Sequence, residues 1–337
     1  MHFASRGPLR NSTFSKRLAF QAIVASFAVL LAAALAPRVT NATSSWQTAP
    51  TSYVYTAGPG EISRYAISHG RPEPHPDFIL PGYGVTVGVG PDATLYGVKI
   101  GDGVRYVEAF APGSRAPRRT LTIAQGHVTA VTADPSGNIY VAYDNQEFDD
   151  SANRFRLADA GVAIFDGKGR FLNRIILPSS AGLFTLVYGL ALDANGVLYI
   201  NEFPAQTEIP TIAVVEHPLT QHFVSGSFTS PSLSETGSGL AVQEGRVYVT
   251  NYEVNENKVG ASSVLLFDAR SRGSVQPVAR YDLPFGDLPN DGPRLTGSRM
   301  FVLETEHSQQ SCMSLTGLRG RSPSIGWSSP RDTTPLQ

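Results

Sequence analysis

Residues Tyr188–Ile200 read YGLALDANGVLYI. A short apolar run, the turn Asp193-Ala194-Asn195-Gly196 and a second run with Tyr199 between aliphatics form a β-hairpin signature. Gly196 suits the positive φ such a turn requires. The pattern recurs at Val85–Val98 (VTVGVGPDATLYGV), Val128–Val141 (VTAVTADPSGNIYV) and Ser238–Val249 (SGLAVQEGRVYV), and more weakly at Pro293–Val302 (PRLTGSRMFV). The marker aromatics Tyr53, Tyr96, Tyr140, Tyr199, Tyr248 and Phe301 lie 43, 44, 59, 49 and 53 residues apart. Strand pairs follow the hairpins: Ile62–Ile67 with Phe78–Leu80, Tyr106–Phe110 with Thr120–Ile123, Val162–Phe165 with Phe171–Leu177, Ile212–Val215 with His222–Ser225, and Val264–Phe267 with Val278–Leu283. Four strands per unit, repeated every roughly 40–60 residues, predict an all-β propeller. The expected count is six four-stranded blades with the last incomplete, and five is the alternative.

Composition agrees with a chain that turns often. Its 337 residues include 32 Gly and 24 Pro, and the single Cys312 excludes an internal disulfide framework. The net charge of −1 hides an asymmetry. Residues 1–42 hold Arg6, Arg10, Lys16, Arg17 and Arg38 and no acid, so the remainder has 22 basic against 28 acidic residues, a net of −6. That argues against a general nucleic-acid binder. Leu18–Ala36 is an uncharged apolar run behind Lys16 and Arg17, which reads as a signal peptide or an N-terminal membrane anchor. The expected location is secreted, periplasmic or at the cell surface, with membrane contact only through this segment. The expected organisation is 1–42 for export, 43–304 for the propeller, and 305–337 as a disordered or truncated tail without further strands.

The GLALDANGVLYI-type motif resembles the NHL-repeat and gluconolactonase-like (senescence-marker-protein) propellers over about residues 50–304. Ala111-Pro112-Gly113 with Arg118–Ile123 looks like exported bacterial propellers of unassigned function. The resemblance implies a divalent cation held in the axial channel by Glu, Asn and Asp oxygens, with an Asn-Gly-Leu lead-in to an inner strand. Here those lead-ins are Tyr188-Gly189-Leu190 and Ser238-Gly239-Leu240, which lack the Asn.

Other chemistry is sparse. No G-x-S-x-G hydrolase elbow and no helical His pair for zinc occurs. Asp134 and Asp193 are expected to accept backbone N–H groups in their turns. Asn201 with Glu202, and Asn251 near Glu253, follow inner hairpins and could supply oxygens to a cation. Loops after the second strand of each hairpin collect acids, and Asp144, Asp149, Asp150, Glu202 and Glu253 are the candidate binding residues. They would form a cation-attracting surface for Ca²⁺ or a basic partner, not an acid–base pair. The leading reading is a monomeric, non-enzymatic binding or scaffold module at the cell envelope, its partner a protein, polymer or small molecule. The alternative is a divalent-metal-dependent hydrolase of the lactonase class with atypical channel ligands.

Overall fold

The structure is a computed structural model that describes residues 53–58, 60–68, 71–99, 106–123, 126–149, 154–177, 185–204, 209–234, 239–255, 258–283, 293–296, 299–306, 309–316 and 324–328. The export segment expected at 1–42 lies outside them. Among the described residues no helix is long and apolar enough to cross a membrane.

The alternating apolar runs form radial sheets. Blade 1 holds β1 (Tyr53–Gly58), β2 (Glu61–Ser68), β3 (Arg71–Pro72) and β4 (Phe78–Pro81). Blade 2 is the meander β5 (Tyr83–Val89), β6 (Leu95–Lys99), β7 (Tyr106–Phe110) and β8 (Pro117–Thr122). Blade 3 follows with β9 (His127–Ala133), β10 (Ile139–Asp149), β11 (Arg154–Phe165) and β12 (Phe171–Ile176). Blade 4 comprises β13 (Thr185–Leu192), β14 (Leu198–Pro204), β15 (Thr211–Val215) and β16 (Gly226–Thr229). In blade 5, β17 (Leu240–Gln243), β18 (Arg246–Asn255), β19 (Lys258–Asp268) and β21 (Ala279–Asp282) pair in turn, while β20 (Gly273–Ser274) crosses over to join β16 in parallel. A terminal sheet contains β22 (Arg294–Thr296), β23 (Arg299–Glu306), β24 (Gln309–Thr316) and β25 (Ser324–Ser328).

The chain is thus a β-propeller of five repeat blades followed by a terminal sheet. The six-blade count with an unfinished last blade gives way to the five-blade alternative. The expectation of a strandless tail is corrected. Backbone pairing runs from Arg299↔Thr316 to Glu306↔Gln309, and β25 adds to β24. Ladder hydrogen bonds need no apolar alternation, so the polar run QQSCMSLT escaped a reading based on alternation.

Turn chemistry follows the reading of the hairpins. Asp134 Oδ1 accepts the Ser136 and Asn138 amides at 2.9 and 2.8 Å, and Asp193 Oδ1 those of Asn195 and Val197 at 2.9 and 2.8 Å. Gly137 and Gly196 take φ of 86° and 81°. Two of the acid-bearing stretches expected to be loops are extended hairpins instead: β10 and β11 pair out to Asp149↔Arg154, and β18 and β19 out to Asn255↔Lys258. The fourth strand of blade 4 starts at Gly226 rather than His222, because the preceding turn docks on blade 3.

The core lies in the seams between neighbouring sheets. Tyr140, Ala142 and Val162 of blade 3 pack on Val187, Leu198 and Ile200 of blade 4. Tyr199 and Val214 face Val247, Val249 and Leu265 of blade 5. Ile139, Val141 and Tyr143 face Val98 and Leu121 of blade 2. The marker tyrosines Tyr96, Tyr140, Tyr199 and Tyr248 are buried packing residues, whereas Tyr53 is exposed. Gly189 permits the inner strands of blades 4 and 5 to touch, since a Cβ there would lie 2.9 Å from the Gly239 Cα.

Candidate functional site

Side chains of a strand alternate between its two faces, so the core contacts fix where the polar strand ends point. In β10, Ala142 faces blade 4, and Asp144 two residues later shares that face. His127 is directly opposite Asp144 in β9 and joins it. In β14, Leu198 and Ile200 face blade 3, and so does Glu202, paired with Val187. The end of the seam between blades 3 and 4 is therefore capped by His127, Asp144 and Glu202. Asn201 turns the other way, with Tyr199, toward blade 5. It meets the side of β18 and β19 that carries Val249, Asn251 and Ser263.

The burial is deep. Asp144, Asn201, Glu202, Asn251 and Ser263 are all buried, Glu202 to 4% exposure. Glu202 Oε2, Ser263 Oγ, His127 Nδ1 and Thr129 Oγ1 are buried atoms with no hydrogen-bond partner. Burial alone pushes the Glu202 carboxyl up to about 7, since no neighbouring charge offsets the loss of water. Asn251 is better served: its Oδ1 accepts the Ser234 amide at 2.7 Å. Register irregularities mark the starts of the inner strands, opposite Ala142–Tyr143 in β9, at Val187–Gly189 in β13 and at Tyr83–Val87 in β5. Bulges of this kind re-aim side chains and are common beside functional sites.

The five candidate acids fare differently. Asp144 and Glu202 come to one seam. Glu253 is on the blade 5 side, where its carboxylate is ion-paired with Arg280, which also bonds Asp282 at 2.6 Å. Asp149 ends β10 with its side chain outside the described part, and Asp150 lies outside the described residues. Sequence reasoning missed His127, Thr129 and Ser263. Only the bulge and the strand face single them out, and neither leaves a residue-level signal.

Among the described residues no group of three or more His, Cys, Asp and Glu side chains could hold a metal ion. Asn201 and Glu202, read as joint oxygen donors, dip into different seams and cannot chelate one ion.

No family model and no curated protein matches the sequence. Solved structures do match. The periplasmic gluconolactonase of Pseudomonas aeruginosa superposes with a TM-score of 0.52 at 15% identity, covering 85% of this chain and 84% of that one. A protein of unknown function from Bacteroides caccae gives 0.52 at 10% identity over 78% and 89% of the two chains. The WD40 domain of Toxoplasma gondii coronin gives 0.50 at 16% identity over 84% and 70%. The likeness is one of fold. A gluconolactonase propeller is among the structural neighbours, as the hairpin motif led one to expect.

Proposed function

We propose that the protein is a non-enzymatic binding propeller of the cell envelope, taking a polar, hydrogen-bonding ligand at the buried polar groups of blades 3 to 5. One observation carries this reading: four buried polar atoms without partners, on His127 and Thr129 of blade 3, Glu202 of blade 4 and Ser263 of blade 5, recur in three successive blades. Buried polar groups are nearly always bonded, and such exceptions are what a ligand or ordered water completes. Export rests on the apolar run Leu18–Ala36 and is tested by cell fractionation. An intact chain in the soluble cytoplasm would sink it.

For binding, the test is thermal denaturation with D-glucose, D-gluconate or CaCl₂, because a ligand held only by the folded state raises the melting point. At least one polyol should do so for the wild type and much less for Ser263→Ala. No shift with any of the three would overturn the reading. A response to CaCl₂ alone, weakened by replacing Asp149 and Asp150 with Asn, would restore the acidic-surface version.

A second reading is a gluconolactonase-like hydrolase in which Glu202, its carboxyl pushed up to about 7 by burial, would act as general acid or base. Hydrolysis of δ-gluconolactone followed in a pH-stat, and abolished in Glu202→Gln, would establish it over simple binding.

A further inference from the structure

Exposed apolar side chains scattered singly over a surface are ordinary, whereas a cluster of them calls for a partner. Ten large apolar residues are exposed among the described residues, and five of them fall in two short stretches. Phe171, Leu172 and Ile176 of β12 are 60%, 44% and 42% exposed, and Leu219 and Phe223 of the turn before β16 are 44% and 68% exposed. The turn brings both stretches to one edge. Asn173 Nδ2 donates to the Pro218 and Gln221 carbonyls at 2.8 and 2.7 Å, and the Ile176 amide donates to His222 O at 2.8 Å. His222 Nδ1 lies 3.2 Å from Arg174 O. The outermost strand of blade 3 thus carries an apolar face to which blade 4 adds two side chains.

Polar groups between these side chains are already bonded. Gln221 Oε1 accepts the His217 amide at 3.0 Å and the Ser225 hydroxyl at 2.9 Å, and Ser225 Oγ accepts the Glu216 amide at 3.0 Å. Neither FLNRII (171–176) nor HPLTQHF (217–223) contains an acid. Their one formal charge, Arg174, is turned onto Tyr143: its guanidinium lies 5.3 Å from the ring centre, and its Nε donates to the hydroxyl. Covering the face therefore strands no carboxylate, the group whose burial is most costly. The same bonds hold the turn in place, which removes the ordering cost that a loose loop would incur on docking.

We propose that this face joins two copies of the chain across a two-fold axis, in place of the monomer expected from the sequence. Area is the argument. At these exposures the five residues leave about 500 Å² of surface in water. A standard interface removes about 800 Å² from each partner, and about 500 Å² of that is apolar. One such face on each copy therefore supplies the apolar part of a stable contact. A two-fold contact sets a surface against itself, which suits an apolar face without acids; a charged one would meet its own sign. The buried polar groups proposed to bind a ligand take no part in this contact.

The test is sedimentation velocity of the full chain from about 1 to about 200 µM, which covers the weak end for an interface of this size. The wild type should pass from monomer to dimer within that range or be dimeric throughout. Phe223→Ser should raise the dissociation constant at least about tenfold, and the double variant Phe171→Ser, Phe223→Ser should be monomeric. Both side chains are exposed, so neither variant should lower the melting point at the lowest concentration. Val278→Ser, at a position 56% exposed beside β21 of blade 5, is the control and should change nothing. A wild type that stays monomeric at about 200 µM, an association that the double variant keeps, or an equal loss in Val278→Ser would overturn the proposal. So would a wild type that forms no dimer but binds phosphatidylcholine–phosphatidylglycerol vesicles through these residues, which would assign the face to a lipid surface.

Discussion

Replacing Glu202 by Gln should make the protein more stable at neutral and higher pH, and by an amount that grows with pH. The folded carboxyl titrates at about 7 rather than 4.5, raised by burial. Between those values the folded chain keeps a proton that the unfolded chain releases, so stability falls as pH rises through the window and levels off above it. The full difference is worth about 3 kcal/mol at pH 8. Gln is isosteric, neutral and does not titrate, so the gap between variant and wild type isolates this one group. At pH 4 the two should melt together within about 1 kcal/mol, the worth of one hydrogen bond. At pH 8 the variant should be ahead by about 6 °C, taking roughly 2 °C per kcal/mol for a domain of this size. Scanning calorimetry of both proteins at half-unit steps from pH 4 to 8 measures it. A gap that does not change with pH would mean that Glu202 is not a carboxyl held neutral by burial. A gap of opposite sign would mean that an ion stabilises the ionised form, and added CaCl₂ should then widen it.

Gly161→Ala should cost roughly 2 kcal/mol or more, because the new Cβ would sit 2.3 Å from Ile175 O and 2.9 Å from the Tyr143 hydroxyl, neither of which can retreat easily; chemical denaturation will read it. Removing residues 308–337 deletes β24 and β25 and strips β23 of its outer neighbour. The melting temperature should fall by at least about 4 °C, and an unchanged value would refute the terminal sheet.

The propeller was legible because its hairpins repeat a local chemistry. Asp134 and Asp193 bind their own turn amides, Gly137 and Gly196 take the positive φ, and Tyr140 and Tyr199 fill the seams, so each unit announces itself without knowledge of its neighbours. The tail was not legible, since β24 joins through backbone pairing and its polar composition resembles that of a loop. The long hairpins of β10–β11 and β18–β19 were hidden for the same reason. In the candidate site, Asp144 and Glu202 stood out as acids following hairpin strands. The face each one takes depended on strand register, and a single bulged residue shifts that register. Acids grouped by loop therefore looked like one surface, although Asn201 and Glu202 enter different seams and Glu253 is neutralised by Arg280.

The two ends of the sheets differ in how their polar groups are used, and the proposed site rests on that difference. At the hairpin-turn end the carboxylates of Asp134 and Asp193, and at the neighbouring outer turns those of Asp166 and Asp268, accept backbone amides or pair with arginines. These acids serve the turns, and replacing one should cost stability. At the other end Glu202 bears the cost of burial with one oxygen unbonded, and Ser263 and His127 likewise bury polar atoms unpaired. Such groups weaken the fold. A propeller stabilised by apolar seams tolerates that cost, but the fold itself does not require it. Under the proposed binding function, the reason for their presence is an interaction that the isolated chain does not supply. The pH-dependent gain expected of Glu202→Gln measures that cost directly, and loss of polyol binding in Ser263→Ala would measure what it secures.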